Sequence, residues 1–168
     1  MKKTNKVEFT ATFFVYAWII IANIIALNVC KTPTWPMFMV TVFFYWSHGD
    51  KKNIPNIAVG GIVGLVCAYL FEILLGAFAP SMGGLPAAYL TLIIILGILI
   101  LGGTVCPVAC NNFAIGYFTI ALIDSTLIKP QFTNWLLMFI IGGGILLAGA
   151  ILAGDLGVKL AMKGEKKD

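Results

Sequence analysis

The sequence contains no arginine, one histidine and few charges of either sign: 11% of its 168 residues are charged, 60% are hydrophobic, and the mean hydropathy is +0.99. A soluble core of this size could not hide so much apolar surface, so a soluble globular fold is excluded. The net charge of +4 comes from lysines gathered at the two ends and in one loop, without interleaved aromatics or arginines, which excludes a nucleic-acid surface. The four cysteines, Cys30, Cys67, Cys106 and Cys110, lack paired two-residue spacing, and a single histidine cannot complete a zinc set, so neither metal nor cofactor is expected. Cys106 and Cys110, four apart on one helical face, read as small packing residues. With no serine elbow, phosphate loop or paired carboxylates, enzyme chemistry has no foothold.

Long apolar runs are what remain, and they predict an all-α integral membrane protein with six transmembrane helices in a single domain over residues 1–168. The spans run Phe9 to Val29, Trp35 to His48, Ile54 to Ala79, Ala87 to Leu101, Thr104 to Ile123 and Asn134 to Leu156 (9–29, 35–48, 54–79, 87–101, 104–123 and 134–156). Pro33, Pro36, Pro55, Pro80, Pro86, Gly102-Gly103 and Pro130 mark the joints. The first run ends in Leu27-Asn28-Val29-Cys30, without the small residue that signal cleavage prefers, and reads as a helix that is kept.

Lysine placement sets the expected orientation, because cytoplasmic loops carry the positive excess. Both termini inside puts Lys2, Lys3, Lys6, Lys51, Lys52, Lys159, Lys163, Lys166 and Lys167 on the cytoplasmic side, and only Lys31 and Lys129 outside.

The order of features repeats. Trp35-Pro36, an aromatic run, Asp50, Pro55 and Gly60-Gly61 with Gly64 are followed in the second half by Cys106-Pro107, Phe113, Tyr117 and Phe118, Asp124, Pro130 and Gly142-Gly143-Gly144 with Gly149. A three-helix unit is necessarily inverted relative to its copy, so the expectation is a 3+3 inverted repeat with the site where the repeats meet. The second span is too short to cross alone, and the fifth is interrupted by Cys106-Pro107 and Asn111-Asn112. Irregular spans in corresponding positions are the sequence pointer to a permeation site, since unwound backbone is tolerated only against protein or water.

The expected pore lining is Phe43, Phe44, Asn111, Asn112, Phe113 and Tyr117, with amides replacing a solute's water and rings setting the width. The competing reading of the asparagines is interhelical bonding, and of the aromatics an interfacial belt. Glu72, an acid within the third span, is a candidate for proton coupling or a snorkelling side chain, and His48 a candidate gate or an interfacial residue. Gly60 and Gly64, and the glycines of the sixth span, are expected where helices approach closely or subunits meet.

The run from Trp35-Pro36 through Phe43-Phe44 to Gly49-Asp50-Lys51-Lys52, the segment Asn56 to Gly64 and the later Ile115-Gly116-Tyr117-Phe118-Thr119 resemble the YcdZ-like bacterial inner-membrane proteins, small six-helix proteins grouped as a domain of unknown function. The resemblance implies the fold and a bacterial inner membrane, and no substrate. The segment Cys106 to Asn112 departs from that pattern. With no basic residue at a span's centre and no acidic ring, the residues favour a channel or facilitator, monomeric or homo-oligomeric in the lipid bilayer, for a neutral or weakly ionised polar solute such as urea, a short amide or a short-chain weak acid. An ammonium or methylamine conductor using the aromatic faces is the first alternative, and a non-transport accessory or assembly subunit the second.

Overall fold

The computed structural model describes residues 3–164, and every regular element among them is helical. Helix α1 covers Lys3–Cys30, α2 Trp35–Trp46, α3 Ile54–Met82, α4 Gly84–Gly102, α5 Asn112–Ala121, α6 Ile128–Leu137 and α7 Gly143–Gly164, with a π-helical segment, Met138–Gly142, joining α6 to α7. Lys2, Lys166 and Lys167 of the orientation argument lie outside the described residues.

Four stretches are long and apolar enough to cross a membrane: Lys6–Cys30, Lys51–Met82, Gly84–Gly102 and Asn112–Lys163. The last has 52 residues, which as one helix would measure roughly 78 Å against a hydrocarbon core of about 30 Å. It is broken where Asp124 leaves helical geometry (φ −130°, ψ 79°). The helices are compatible with a multi-pass membrane protein.

Local chemistry sets most boundaries. Pro36 and Pro55 sit in the first turns of α2 and α3, where a missing N–H removes no helical bond. The turn after α2 places His48 (φ 59°) and Gly49 (φ 69°) in the left-handed region, and Gly83 (φ 84°) separates α3 from α4. Pro80 lies inside the last turns of α3 without ending it. The fifth apolar run departs most from expectation. Thr104 to Asn111 forms turns, and α5 begins only at Asn112. Val105, Val108 and Ala109 extend the run by composition, yet Pro107 cannot continue a helix laid down before it, and Asn111 caps a new one.

Glycines decide which helices meet. Ala11, Val15 and Trp18 of α1 face Gly157, Gly154 and Gly149 of α7, so these two run antiparallel, and the Trp18 indole Nε1–H donates to the Leu146 carbonyl at 2.9 Å. Gly60 of α3 faces the Asn111 side chain, Gly61 faces Phe139 and Tyr117, and Gly64 faces the Ala114 carbonyl. A Cβ on Gly64 would sit 2.8 Å from that of Tyr117, so only glycine lets α5 approach this closely. Likewise Met37 and Val40 of α2 rest on Gly142 and Gly143. Helix α4 packs on α3 through one buried stripe, Ala87, Thr91, Ile95 and Leu99. Thus α2 and α5, two of the short helices, are each seated on a glycine-rich stretch distant in sequence.

Candidate functional site

Helices α2 and α5 have 12 and 10 residues, or about 18 and 15 Å of length, each well short of a bilayer core. They lie against each other through aromatic rings. Phe43 stands 5.3 Å from Phe113 and 5.5 Å from Tyr117, ring centre to ring centre, and Trp46 meets Phe113 at 6.2 Å. Trp35, at the other end of α2, meets Tyr117 at 6.0 Å and Trp135 of α6 at 5.2 Å, and Phe139 closes on Tyr117 at 4.9 Å. All of these pairs are tilted or edge-to-face, in keeping with the arrangements that aromatic quadrupoles favour. Tyr117 is fully buried, and its hydroxyl donates to the Pro36 carbonyl at 2.9 Å.

Of the residues expected to line a path, Phe43, Phe113 and Tyr117 are brought together here. Phe44 is buried in the core and meets Tyr45 at 5.3 Å, on another side of α2. Asn111 is fully engaged in structure: its Oδ1 accepts from the N–H groups of Phe113 (3.0 Å) and Ala114 (3.1 Å). Its Nδ2 donates to the carbonyls of Val108 (2.8 Å), Asn56 (3.1 Å) and Pro107 (3.3 Å). One side chain therefore caps α5, pins the preceding turns and ties both to the first turn of α3, which is the bonding role weighed for it from sequence. Asn112 opens α5 with its side chain exposed. Glu72 is half-buried on α3 and His48 exposed in the turn after α2; neither belongs to the ring contacts. Among the described residues, no cluster of three metal-binding side chains is present.

Trp35, Trp135 and Phe139 complete the ring set, and sequence reading had not placed them in the site. Trp135 has a buried indole N–H without a hydrogen-bond partner. It lines an open surface cleft of about 210 Å³ with Pro33, Trp35, Ile120 and Asp124, at the end of the ring contact away from Trp46. A second, larger groove of about 500 Å³ lies elsewhere, between α1, the start of α2, and α6 to α7.

The fold and this aromatic junction define a helical membrane protein whose two short helices meet inside it. No family model, curated protein or solved structure matches the chain.

Proposed function

We propose that the chain is a membrane facilitator for a small neutral or weakly ionised polar solute, of the urea, short-amide or short-chain weak-acid type, with its constriction at Phe43, Phe113 and Tyr117. The observation that carries the reading is the meeting of two short helices, α2 and α5, at these rings, with an open surface cleft at one end lined by Trp35, Trp135 and Asp124. Helices that stop short inside a membrane protein leave backbone ends where a solute can exchange its water, and rings at that depth exclude hydrated ions.

The finer architecture belongs to the same proposal: six spans, both termini cytoplasmic, and a 3+3 inverted repeat of the YcdZ-like kind in a bacterial inner membrane. The exchange of partners between halves supports it, since α1 packs on α7 as α4 packs on α3, and α2 sits on Gly142-Gly143 as α5 sits on Gly60-Gly61 and Gly64. An inverted two-fold relation would generate this pairing.

Stopped-flow swelling of proteoliposomes with urea, acetamide, acetate and methylammonium tests the function. Urea or acetamide should equilibrate faster than in empty vesicles, and Phe43→Ala should widen the range of solutes admitted. Entry of methylammonium alone would assign the aromatic faces to a cation. No flux of any solute would leave the junction as a packing device and favour the accessory-subunit reading.

A further inference from the structure

The groove of about 500 Å³ is walled by Trp18, Ala22 and Ile25 of α1, Met37 of α2, and Ile145 of α7, so nearly all of it is hydrocarbon. Its polar side chains are concentrated at one end, where Cys30, Thr32 and Asn134 contribute to the lining. Along α1 it extends from Trp18 to Cys30, about 18 Å of helix, which matches the roughly 15 Å depth of hydrocarbon in one leaflet. Rim residues Ile25, Val29, Ile141 and Ile145 are exposed, as a lipid-facing surface tolerates and a wet one does not. Lys31 falls between two lining residues, Cys30 and Thr32, is exposed, and is held at φ 50° in the turn that leaves α1. The groove thus has the length of one acyl chain, an apolar wall, and hydrogen-bonding groups and a cation at the end where a headgroup would stand.

We propose that this groove binds one anionic phospholipid from the leaflet at the Cys30 end, its acyl chain lying along α1 between Trp18 and Val29 and its phosphate beside Lys31, Thr32 and Asn134. A basic residue at the mouth of an interhelical pocket selects anionic headgroups, while the apolar wall alone would accept any lipid. The proposal requires the chain to be in a membrane and is independent of what it conducts.

Trp18 provides the readout, because it lines the groove and the remaining tryptophans, Trp35, Trp46 and Trp135, do not. The full chain is reconstituted in phosphatidylcholine vesicles containing a graded fraction of phosphatidylglycerol or phosphatidylcholine brominated on the acyl chains. Fluorescence lost by the wild type but not by Trp18→Phe is the signal of Trp18. We expect brominated phosphatidylglycerol to quench it at about five-fold lower mole fraction than brominated phosphatidylcholine, the selectivity that one lysine near an anionic headgroup confers. Lys31→Glu, an exposed change outside the helix, should abolish that preference while leaving quenching by phosphatidylcholine intact. Equal quenching by the two lipids, or a preference that survives Lys31→Glu, would overturn the proposal. So would protection of Trp18 from both lipids, which would mean that a second copy of the chain covers the groove.

Discussion

The Tyr117 hydroxyl donates to the Pro36 carbonyl at 2.9 Å across 81 residues of sequence, and both residues are almost fully buried. It fixes the middle of one short helix against the start of the other. Tyr117→Phe keeps the ring contacts and removes the bond alone. It should lower stability by about 0.6 kcal/mol and by no more than ~1.7, the span measured for hydrogen bonds between transmembrane helices. Reversible unfolding in mixed micelles checks this, and a much larger loss would mean that the hydroxyl organises the junction beyond this one bond.

Asn111 should show two separable roles. Asn111→Asp retains the acceptor that caps α5 and loses the amide that donates to Asn56, Pro107 and Val108, whereas Asn111→Ala loses both. The alanine variant should be destabilised by about 2 kcal/mol, roughly half of it from the cap, and the aspartate variant by less. Proteolytic nicking within Thr104 to Cys110 would rise in the same order.

Two glycines in apolar helices should respond oppositely to alanine. A Cβ on Gly64 meets the Ala114 carbonyl and Tyr117, which cannot yield without moving α5, while one on Gly97 meets nothing within 4 Å. Gly64→Ala should cost about 1–3 kcal/mol, and Gly97→Ala should be neutral or stabilising by up to ~1 kcal/mol. Thermal midpoints in detergent decide it, and equal effects would remove the argument that α5 needs a bare α3 surface.

Reporter fusions address the proposed orientation. A cytoplasm-active reporter should work after Asp168 and fail after Ser81, because the proposed spans place these positions on opposite sides. Activity at both positions would overturn the six-span arrangement.

Glu72 lies half-buried on α3, outside the ring contacts. Glu72→Gln should leave the pH dependence of solute flux as it is in the wild type. A mutant whose flux no longer responds to pH would make Glu72 part of the transport step.

The helical class and the long apolar helices α1, α3 and α4 were legible because their signals are local runs of Leu, Ile and Val, with Gly102-Gly103 at one end, although the joint read at Pro80 and Pro86 falls instead at Gly83, and both prolines lie within helices. The interruption of the fifth span at Cys106-Pro107 and Asn111-Asn112 was legible, but the span was begun at Thr104, whereas the Asn111 cap starts α5 only at Asn112 through backbone geometry that hydropathy does not record. Phe43, Phe113 and Tyr117 were singled out from their place beside the irregular segments, and they do converge. Trp35 and Trp135 were missed. Sequence places a joint at Pro130 and starts the sixth span at Asn134, whereas α6 begins at Ile128, so Ile128 and Trp135 were not read as one buried face of a helix turned towards α2. The partnership of Trp18 with Leu146 was equally hidden, since a tryptophan in a lipid-length helix reads the same whether it faces lipid or a glycine.

The pairing of α1 with α7 also sets an order of assembly. The bond from Trp18 to Leu146 joins residues 128 apart, and α7 leaves a ribosome after α1 to α6. During synthesis α1 therefore waits with the indole N–H of Trp18 and the contact surface of Ala11 and Val15 uncovered until α7 has been inserted. Helices α2 to α6 can gather first around the aromatic junction, and α1, made before them, finds its place after them.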